Sequence, residues 1–129
     1  MIVVDSSALI AIALDEPAAD QCQQVIESEE ELAISAATLT EALIVADRRG
    51  VRSRVAMLVA ASSMEIVEVT AVRVEQIADA YRRWGKGFHP ASLNFGDCFA
   101  YALAAERACP LLYVGNDFTQ TDIVSARPA

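Results

Sequence analysis

The chain opens on Ile2-Val3-Val4, an unbroken β-branched run that stops at Asp5. A short apolar run without alternation reads as a strand buried on both faces. Three more such runs follow, at residues 32–35, 66–69 and 111–114. Between them the apolar period lengthens to that of a helix. Ser6 and Ser7 open a helix that residues 8–14 continue; Asp15-Glu16-Pro17 then breaks it and starts a second, with Ala18, Cys22 and Val25 on one face. Leu39, Ala42, Leu43 and Ala46 recur at helical spacing behind Thr38-Leu39-Thr40-Glu41, which predicts a capping box with Glu41 reaching back to the helix start; Gly50 ends this helix. Val51, Val55, Leu58 and Val59 stripe a further helix up to Ser62-Ser63. Val74, Ile77, Ala78 and Tyr81 stripe another, with Glu75, Asp79, Arg82 and Arg83 on its wet side. Residues 85–92, with Gly87 and Pro90, are the longest loop. From Cys98 to Ala105 every position is apolar or aromatic, so this helix is expected to be buried nearly all round, with Asp97 in its first turn just after Gly96. Pro110 stops it, Gly115-Asn116-Asp117 forms a turn after the last strand, and the tail carries one weak apolar patch, Ile123-Val124.

Strands separated by helices predict an α/β fold: a central, mostly parallel sheet flanked by helices on both faces. At 129 residues the chain is expected to form one domain, residues 1–129. An apolar fraction of 54% with few Gly and Pro excludes disordered and collagen-like classes. No apolar run reaches the length of about 18 residues that a membrane span needs. Residues 2–14 superficially resemble a signal peptide, but Asp5 interrupts them and no Lys or Arg precedes them. The 3 cysteines, Cys22, Cys98 and Cys109, include no CxxC pair and are expected to be small buried hydrophobes in a reducing cytoplasm. A net charge of −8 argues against holding nucleic acid through overall charge. It does not exclude an enzyme acting on nucleic acid, because a bound divalent cation supplies positive charge locally.

In parallel sheets, ligands bind beyond the carboxyl ends of the strands, where the strand order switches. Asp5 follows the first strand, Glu41 the second by a few residues, and Asp117 the fourth. Asp97 begins the helix that feeds the fourth strand, and this argument leaves its place open. Each acid also has an ordinary role to play. Asp5 suits a helix cap, Glu41 a capping box, Asp97 the positive end of a helix and Asp117 a turn. The functional alternative is chemically coherent. Three or four carboxylates gathered within a few ångströms cannot all stay ionised without compensation. Hard oxygen donors suit magnesium or manganese, and such a metal equips a site for phosphodiester hydrolysis.

The order Val3-Val4-Asp5-Ser6-Ser7-Ala8-Leu9, Thr40-Glu41-Ala42, Leu93-Asn94-Phe95-Gly96-Asp97-Cys98 and Leu112-Tyr113-Val114-Gly115-Asn116-Asp117-Phe118 resembles PIN domains. Among these it most resembles the VapC toxins of bacterial toxin–antitoxin pairs, over essentially the whole chain. The resemblance implies a PIN-like α/β fold with a sheet of four to five strands. It implies an Mg²⁺-dependent endoribonuclease, with Mn²⁺ as the alternative metal, that hydrolyses transfer, ribosomal or messenger RNA. It further implies silencing by a cognate antitoxin protein of the VapB type, and a homodimer. Carried over residue by residue, Asp5, Glu41 and Asp97 match the three most regular acids of the family, catalytic and metal-binding, and Asp117 matches the more variable fourth. Many relatives carry Thr or Ser two residues before that acid, where this chain has Gly115; Asn116 or a water then stands as a substitute for Asp117. Ser7 either supports the site through its hydroxyl or only makes a contact at the helix start.

Other chemistries have less support. His89 is the only histidine, and without a G-x-S-x-G elbow it reads as a loop residue, with a place near substrate as the functional version. Nothing beside Cys98 activates a thiol. Arg48, Arg49, Arg52 and Arg54, and separately Arg82, Arg83 and Lys86, read as solvated helix ends, with contact to an RNA backbone as the functional version. Trp84 and Phe88 are either buried or partner-facing, or available to stack on bases. No G-x-x-x-x-G-K-[ST] or G-x-G-x-x-G is present, and a phospho-receiver domain would carry a lysine after its last strand, whereas the one lysine is Lys86. Two alternatives share the fold: a non-catalytic interaction module whose acids serve only as caps, and a structure-specific DNA nuclease using the same pocket.

Overall fold

The computed structural model describes residues 1–128. Four strands form its sheet: β1 (Ile2–Val4), β2 (Leu32–Ser35), β3 (Glu65–Val67) and β4 (Leu111–Leu112). They lie in the order β3-β2-β1-β4, and every pairing is parallel. Six helices connect them. α1 (Ser6–Ala13) and α2 (Ala19–Ser28) join β1 to β2; α3 (Ala36–Arg49) and α4 (Arg52–Ser62) join β2 to β3; α5 (Ala71–Trp84) and α6 (Phe95–Arg107) join β3 to β4.

The short apolar runs of β1, β2 and β4 work as strands because both faces of the sheet are covered there, whereas edge strand β3 buries only Val67. Ile2 and Val4, Leu32 and Ile34, and Leu112 point into one core, with Leu9, Cys22, Ala42 and Val55 of α1 to α4. The alternate residues Val3, Ala33 and Leu111 point into the other, against Trp84, Cys98, Tyr101 and Leu103 of α5 and α6. The period of two along each strand thus divides one apolar run between two cores. At its β4 edge the sheet gains a fifth piece of chain, where Leu111 bridges Ser125 in parallel, with Leu111 N–H donating to the Val124 carbonyl at 2.9 Å. The weak apolar patch of the tail is therefore sheet-edge cover.

Two of the expected strands are shorter or shifted. The third occupies residues 65–67 rather than 66–69, and the fourth pairs only at Leu111 and Leu112. Beyond Leu112 the chain turns toward the Asp117 turn, and Val114 N–H goes to a side chain instead of a neighbouring strand. Among the described residues no helix is long and apolar enough to cross a membrane.

β1 lies between β2 and β4, so the chain moves one way across the sheet from β1 to β2 and the other way to reach β4. The crevice this reversal opens at the carboxyl ends is where α/β sheets hold ligands. A helix that feeds a parallel strand runs against it, so the first turn of α6 starts on that same edge. This brings in Asp97, which the sequence argument left unplaced.

Candidate active site

Asp5 stands at the reversal point. Its N–H donates to the Leu112 carbonyl at 2.9 Å, which fixes it to the end of β4. Its extended backbone makes it the N-cap of α1, and its Oδ2 accepts from the Ser7 N–H at 3.2 Å and the Ser7 hydroxyl at 2.6 Å. The Ser7 oxygen also accepts from the Val114 N–H at 3.0 Å, so one hydroxyl joins β1 to the chain beyond β4. Ser7 is thus both the helix-start contact and the support for Asp5. Burial raises the Asp5 carboxyl above its ordinary pKa; the two Ser7 hydrogen bonds oppose the rise, and the Glu41 charge adds to it.

The capping box expected at Thr38 and Glu41 does not form. β2 runs straight into α3, and Ser35 caps it, accepting from the Ala37 N–H at 3.3 Å; Glu41 therefore falls in the second turn, beyond reach of the helix start. With no local duty, its carboxylate turns to the site. The Ser6 hydroxyl, the residue after Asp5, donates to Glu41 Oε1 at 2.8 Å. Glu41 Oε2 lies over Gly96, where a Cβ would collide with it.

The capping box lies on α6 instead. Asn94 Oδ1 accepts from the Asp97 N–H at 2.8 Å, and Asp97 Oδ2 accepts from the Asn94 N–H at 3.0 Å. Asp97 is 8% exposed, and its pKa is pushed up to about 7. Burial is the main cause, the Asn94 N–H works against it, and the carboxylates Asp117, Asp5 and Glu41 add to the rise in that order. Four acids from four separate elements thus act on one rim. Asp117 is exposed on a turn anchored by the buried Phe118, whose ring packs 5.0 Å from that of Tyr113. Gly115 sits at φ +96°, which a Thr or Ser adopts only under strain, so this turn is shaped for glycine.

The donors suit a hard divalent cation in kind: all are carboxylate oxygens, and burial together with three neighbouring acids makes the Asp97 carboxyl hold its proton more strongly than an ordinary aspartate. Among the described residues, no three His, Cys, Asp or Glu side chains are already gathered into a cage for an ion. The acids share a rim without converging. Beside Glu41 opens a groove of about 620 Å³, lined by Thr40, Ile44, Arg48, Phe95, Gly96 and Phe99.

This arrangement has known counterparts. The family model for the PIN domain matches residues 2–124. Ribonuclease VapC28 of Mycobacterium tuberculosis is 41% identical over 128 residues, covering 96% of each chain. Ribonuclease VapC of Mycolicibacterium smegmatis is 39% identical over 127 residues, covering 95% of this chain and 98% of its own. The chain belongs to the PIN-domain family, among the VapC ribonucleases. Solved structures agree in fold. VapC20 of Mycobacterium tuberculosis, described as a sarcin–ricin loop cleaving toxin, superposes with a TM-score of 0.80 at 19% identity, over 99% of this chain and 100% of its own. A toxin–antitoxin complex from Klebsiella pneumoniae gives 0.73 at 19% identity, with both chains covered in full at 100%.

Several of the remaining candidates in this PIN domain have structural duties. Burial pushes the Cys98 thiol up to about 11, with the Asp97 charge adding to the rise, so it is not a poised nucleophile. All three cysteines are free thiols. His89 Nδ1 accepts from the Ala91 N–H at 2.9 Å, and its ring packs 4.7 Å from Trp84. Trp84 is buried and donates to the Tyr101 hydroxyl at 2.9 Å, which removes it as a stacking surface. Arg52 pairs with Asp47 at 2.7 Å, and Arg54 donates to the Ala13 carbonyl at the end of α1 at 3.0 Å. Sequence reasoning missed Ser6 and Gly96. Ser6 gave no signal apart from its place in the first turn after Asp5; Gly96 gave one, a residue without a side chain beside a candidate acid.

Proposed function

We propose that this PIN domain is a divalent-metal-dependent endoribonuclease toxin, with Asp5 and Asp97 holding the cation, Glu41 completing the pocket and Asp117 in support. The observation that carries this reading is Asp97: buried, pushed up to about 7, and acted on by three other acids at the strand-order reversal. Its relatives' name, VapC ribonuclease, supports RNA as the substrate. When bound, an Mg²⁺ or Mn²⁺ ion supplies Lewis acidity toward phosphate and water. The chain's own residues do the rest. Asp97, with its proton released to solvent, would offer a carboxylate oxygen to such an ion. Ser7 holds Asp5 through Oδ2. Glu41, tied at Oε1 by Ser6, offers Oε2 to orient the attacking water and accept its proton.

The proposed partners follow from surface and kinship. Structural neighbours include toxin–antitoxin complexes, which supports a cognate antitoxin as the silencing partner in the cytoplasm. Ile44, Val74 and Phe95 are 50%, 53% and 74% exposed around the groove at Phe99, an apolar face suited to a second copy of the chain.

The test is cleavage of total RNA and transfer RNA by the purified protein with Mg²⁺, with Mn²⁺ and with EDTA, alongside Asp97→Asn. Discrete fragments that need metal and vanish in the variant are expected. A folded protein that leaves RNA intact would return the fold to a non-catalytic interaction module. Cleavage of a branched DNA included in the same assay, with RNA left intact, would make it a structure-specific DNA nuclease.

A further inference from the structure

From Ala80 to Gly96 the chain carries no acidic residue, although acids outnumber bases 18 to 10 overall. The same stretch holds Arg82, Arg83 and Lys86, together with Tyr81, Trp84, Phe88 and Phe95, and it ends where Asp97 begins. The loop between α5 and α6 is firmly built. Leu93 N–H donates to the Trp84 carbonyl at 3.1 Å, Phe88 and His89 N–H both donate to the Gly85 carbonyl, and His89 is wedged against Trp84.

One peptide unit ties this loop to the acidic rim. The Leu93 carbonyl accepts from the Lys86 N–H at 3.0 Å, and the Asn94 N–H on the other side of the same peptide donates to Asp97 Oδ2 at 3.0 Å. With standard peptide dimensions, the Lys86 backbone lies no more than about 8 Å from the Asp97 carboxylate.

The side chains of the loop divide into inward and outward sets. Trp84 is internal. Arg83 lies 4.8 Å over the Trp84 ring and 3.6 Å from Asp122. Arg82 pairs with Asp79 at 3.2 Å. Lys86 makes no ion pair among the described residues. Phe88 is 63% exposed; its ring meets Tyr81 edge-on at 6.0 Å, which steadies it and leaves a face open. A fixed aromatic face two residues from an unpaired cation on one built loop is the combination that holds single-stranded nucleic acid: the ring stacks a base and the ammonium meets a phosphate.

We infer that the loop between α5 and α6 is a substrate subsite, with Phe88 stacking an unpaired base of the RNA and Lys86 meeting the phosphate next to it. The inference rests on the ribonuclease reading and adds where the strand lies beside the cut: on the Asp97 side of the rim, over a loop that carries no acid of its own. It also specifies the form of substrate, since a base is free to stack only where the RNA is unpaired.

The test uses the full chain, a mixed-sequence single-stranded oligoribonucleotide carrying a fluorophore, and the variants Phe88→Ala, Phe88→Trp and Lys86→Met. Both positions are exposed, and neither belongs to the acidic rim. Cleavage in Mg²⁺ gives kcat and KM, and anisotropy in EDTA reads binding alone. Phe88→Ala is expected to raise KM about tenfold with kcat nearly unchanged, and Phe88→Trp to restore it. Lys86→Met is expected to raise KM severalfold and to lower the slope of log affinity against log salt by about 0.7. Unchanged KM and anisotropy in both variants, with cleavage intact, would overturn the subsite and leave the nuclease standing. Wild-type protein that binds but never cleaves would do the reverse if Phe88→Ala still lost binding. A KM change that follows a change in mass by light scattering would also overturn the inference, because the loop would then be acting through assembly.

Discussion

The acidic rim and the loop beside it are one peptide unit apart and opposite in every property that matters for binding. On the rim, Asp5 and Asp97 are buried and raised in pKa, and short donors hold the acids: Ser6, Ser7 and Asn94. On the loop there is no acid at all, Lys86 has no ion-pair partner among the described residues, and Phe88 turns a face to solvent. The difference shows why the net charge of −8 is a poor guide to what the protein handles. Carboxylates gather where a cation would settle, and the loop where a polyanion would lie carries none of its own. At physiological salt, charges interact over a screening length of about 8 Å, comparable with the reach across that peptide unit, so local sign outweighs the total.

The harshest way to break the rim alone is Asp5→Asn. The amide oxygen still accepts from the Ser7 N–H, so the cap on α1 survives while the charge goes. Cleavage is expected to fall by about 10³-fold or more, with the melting temperature within a few degrees of wild type. Turnover within tenfold of wild type would reject Asp5 as a donor. Gly96→Ala comes next and separates geometry from charge. Gly96 lies in the first turn of α6 with an ordinary helical backbone, so alanine suits the helix better, by up to about 1 kcal/mol. The added Cβ meets the flexible end of Glu41, which swings away. The expected outcome is a protein at least as stable as wild type that cleaves about 10²-fold more slowly. Equal loss of stability and activity would mean that Gly96 serves packing.

Much of this was legible in the sequence. The runs of β1, β2 and β4 were visible because a strand covered on both faces has few polar positions to break its run, and Asp5 ends its strand visibly; β3, an edge strand with Glu65 and Ile66 exposed, was read one residue out of place. Two things were hidden. The start of α3 could not be read, because Ser35 belongs to β2 and caps the helix at once, while Thr38 and Glu41 have the spacing of a capping box without the position. The place of Asp97 was hidden because it depends on helix direction across the sheet, which no local pattern states. Asp5 and Asp97 also show that the ordinary and functional readings of an acid are not exclusive. Both make the hydrogen bonds of a helix start and still face the rim. Glu41 does not, and its freedom from local duty is the better sign of function.

The pH dependence of stability probes the rim without a substrate. In the folded protein Asp97 keeps its proton up to about 7; in the unfolded chain it releases it near the ordinary aspartate value of about 4. Between these values the folded state binds more protons, so stability falls as pH rises through the window. Asp5, also raised, acts in the same direction. In EDTA, urea denaturation is expected to show a loss of about 2 kcal/mol between pH 4 and pH 8, after allowance for solvent at the rim. Asp97→Asn should remove most of it, and saturating Mg²⁺ should offset it near neutral pH by binding only the folded state. A flat profile in EDTA would mean that neither burial nor the neighbouring acids hold a proton on Asp97.

The smallest expected effect is also the sharpest discriminator between the two regions. Ser6→Ala removes the hydroxyl that holds Glu41 Oε1 and touches neither Asp5 nor the loop. Alanine is well suited to the first turn of α1, so stability should change by less than about 1 kcal/mol. Glu41 then keeps its charge and loses its orientation, and kcat is expected to drop about tenfold, in the range seen when a supporting hydrogen bond is lost at a metal site. KM for RNA should stay as it was, the mirror image of Phe88→Ala, and Ser6→Thr should recover kcat by restoring the hydroxyl. If Ser6→Ala raised KM instead, Glu41 would be contacting the strand rather than the reacting water, and the division of labour between rim and loop would fail at the residue where it is most finely drawn.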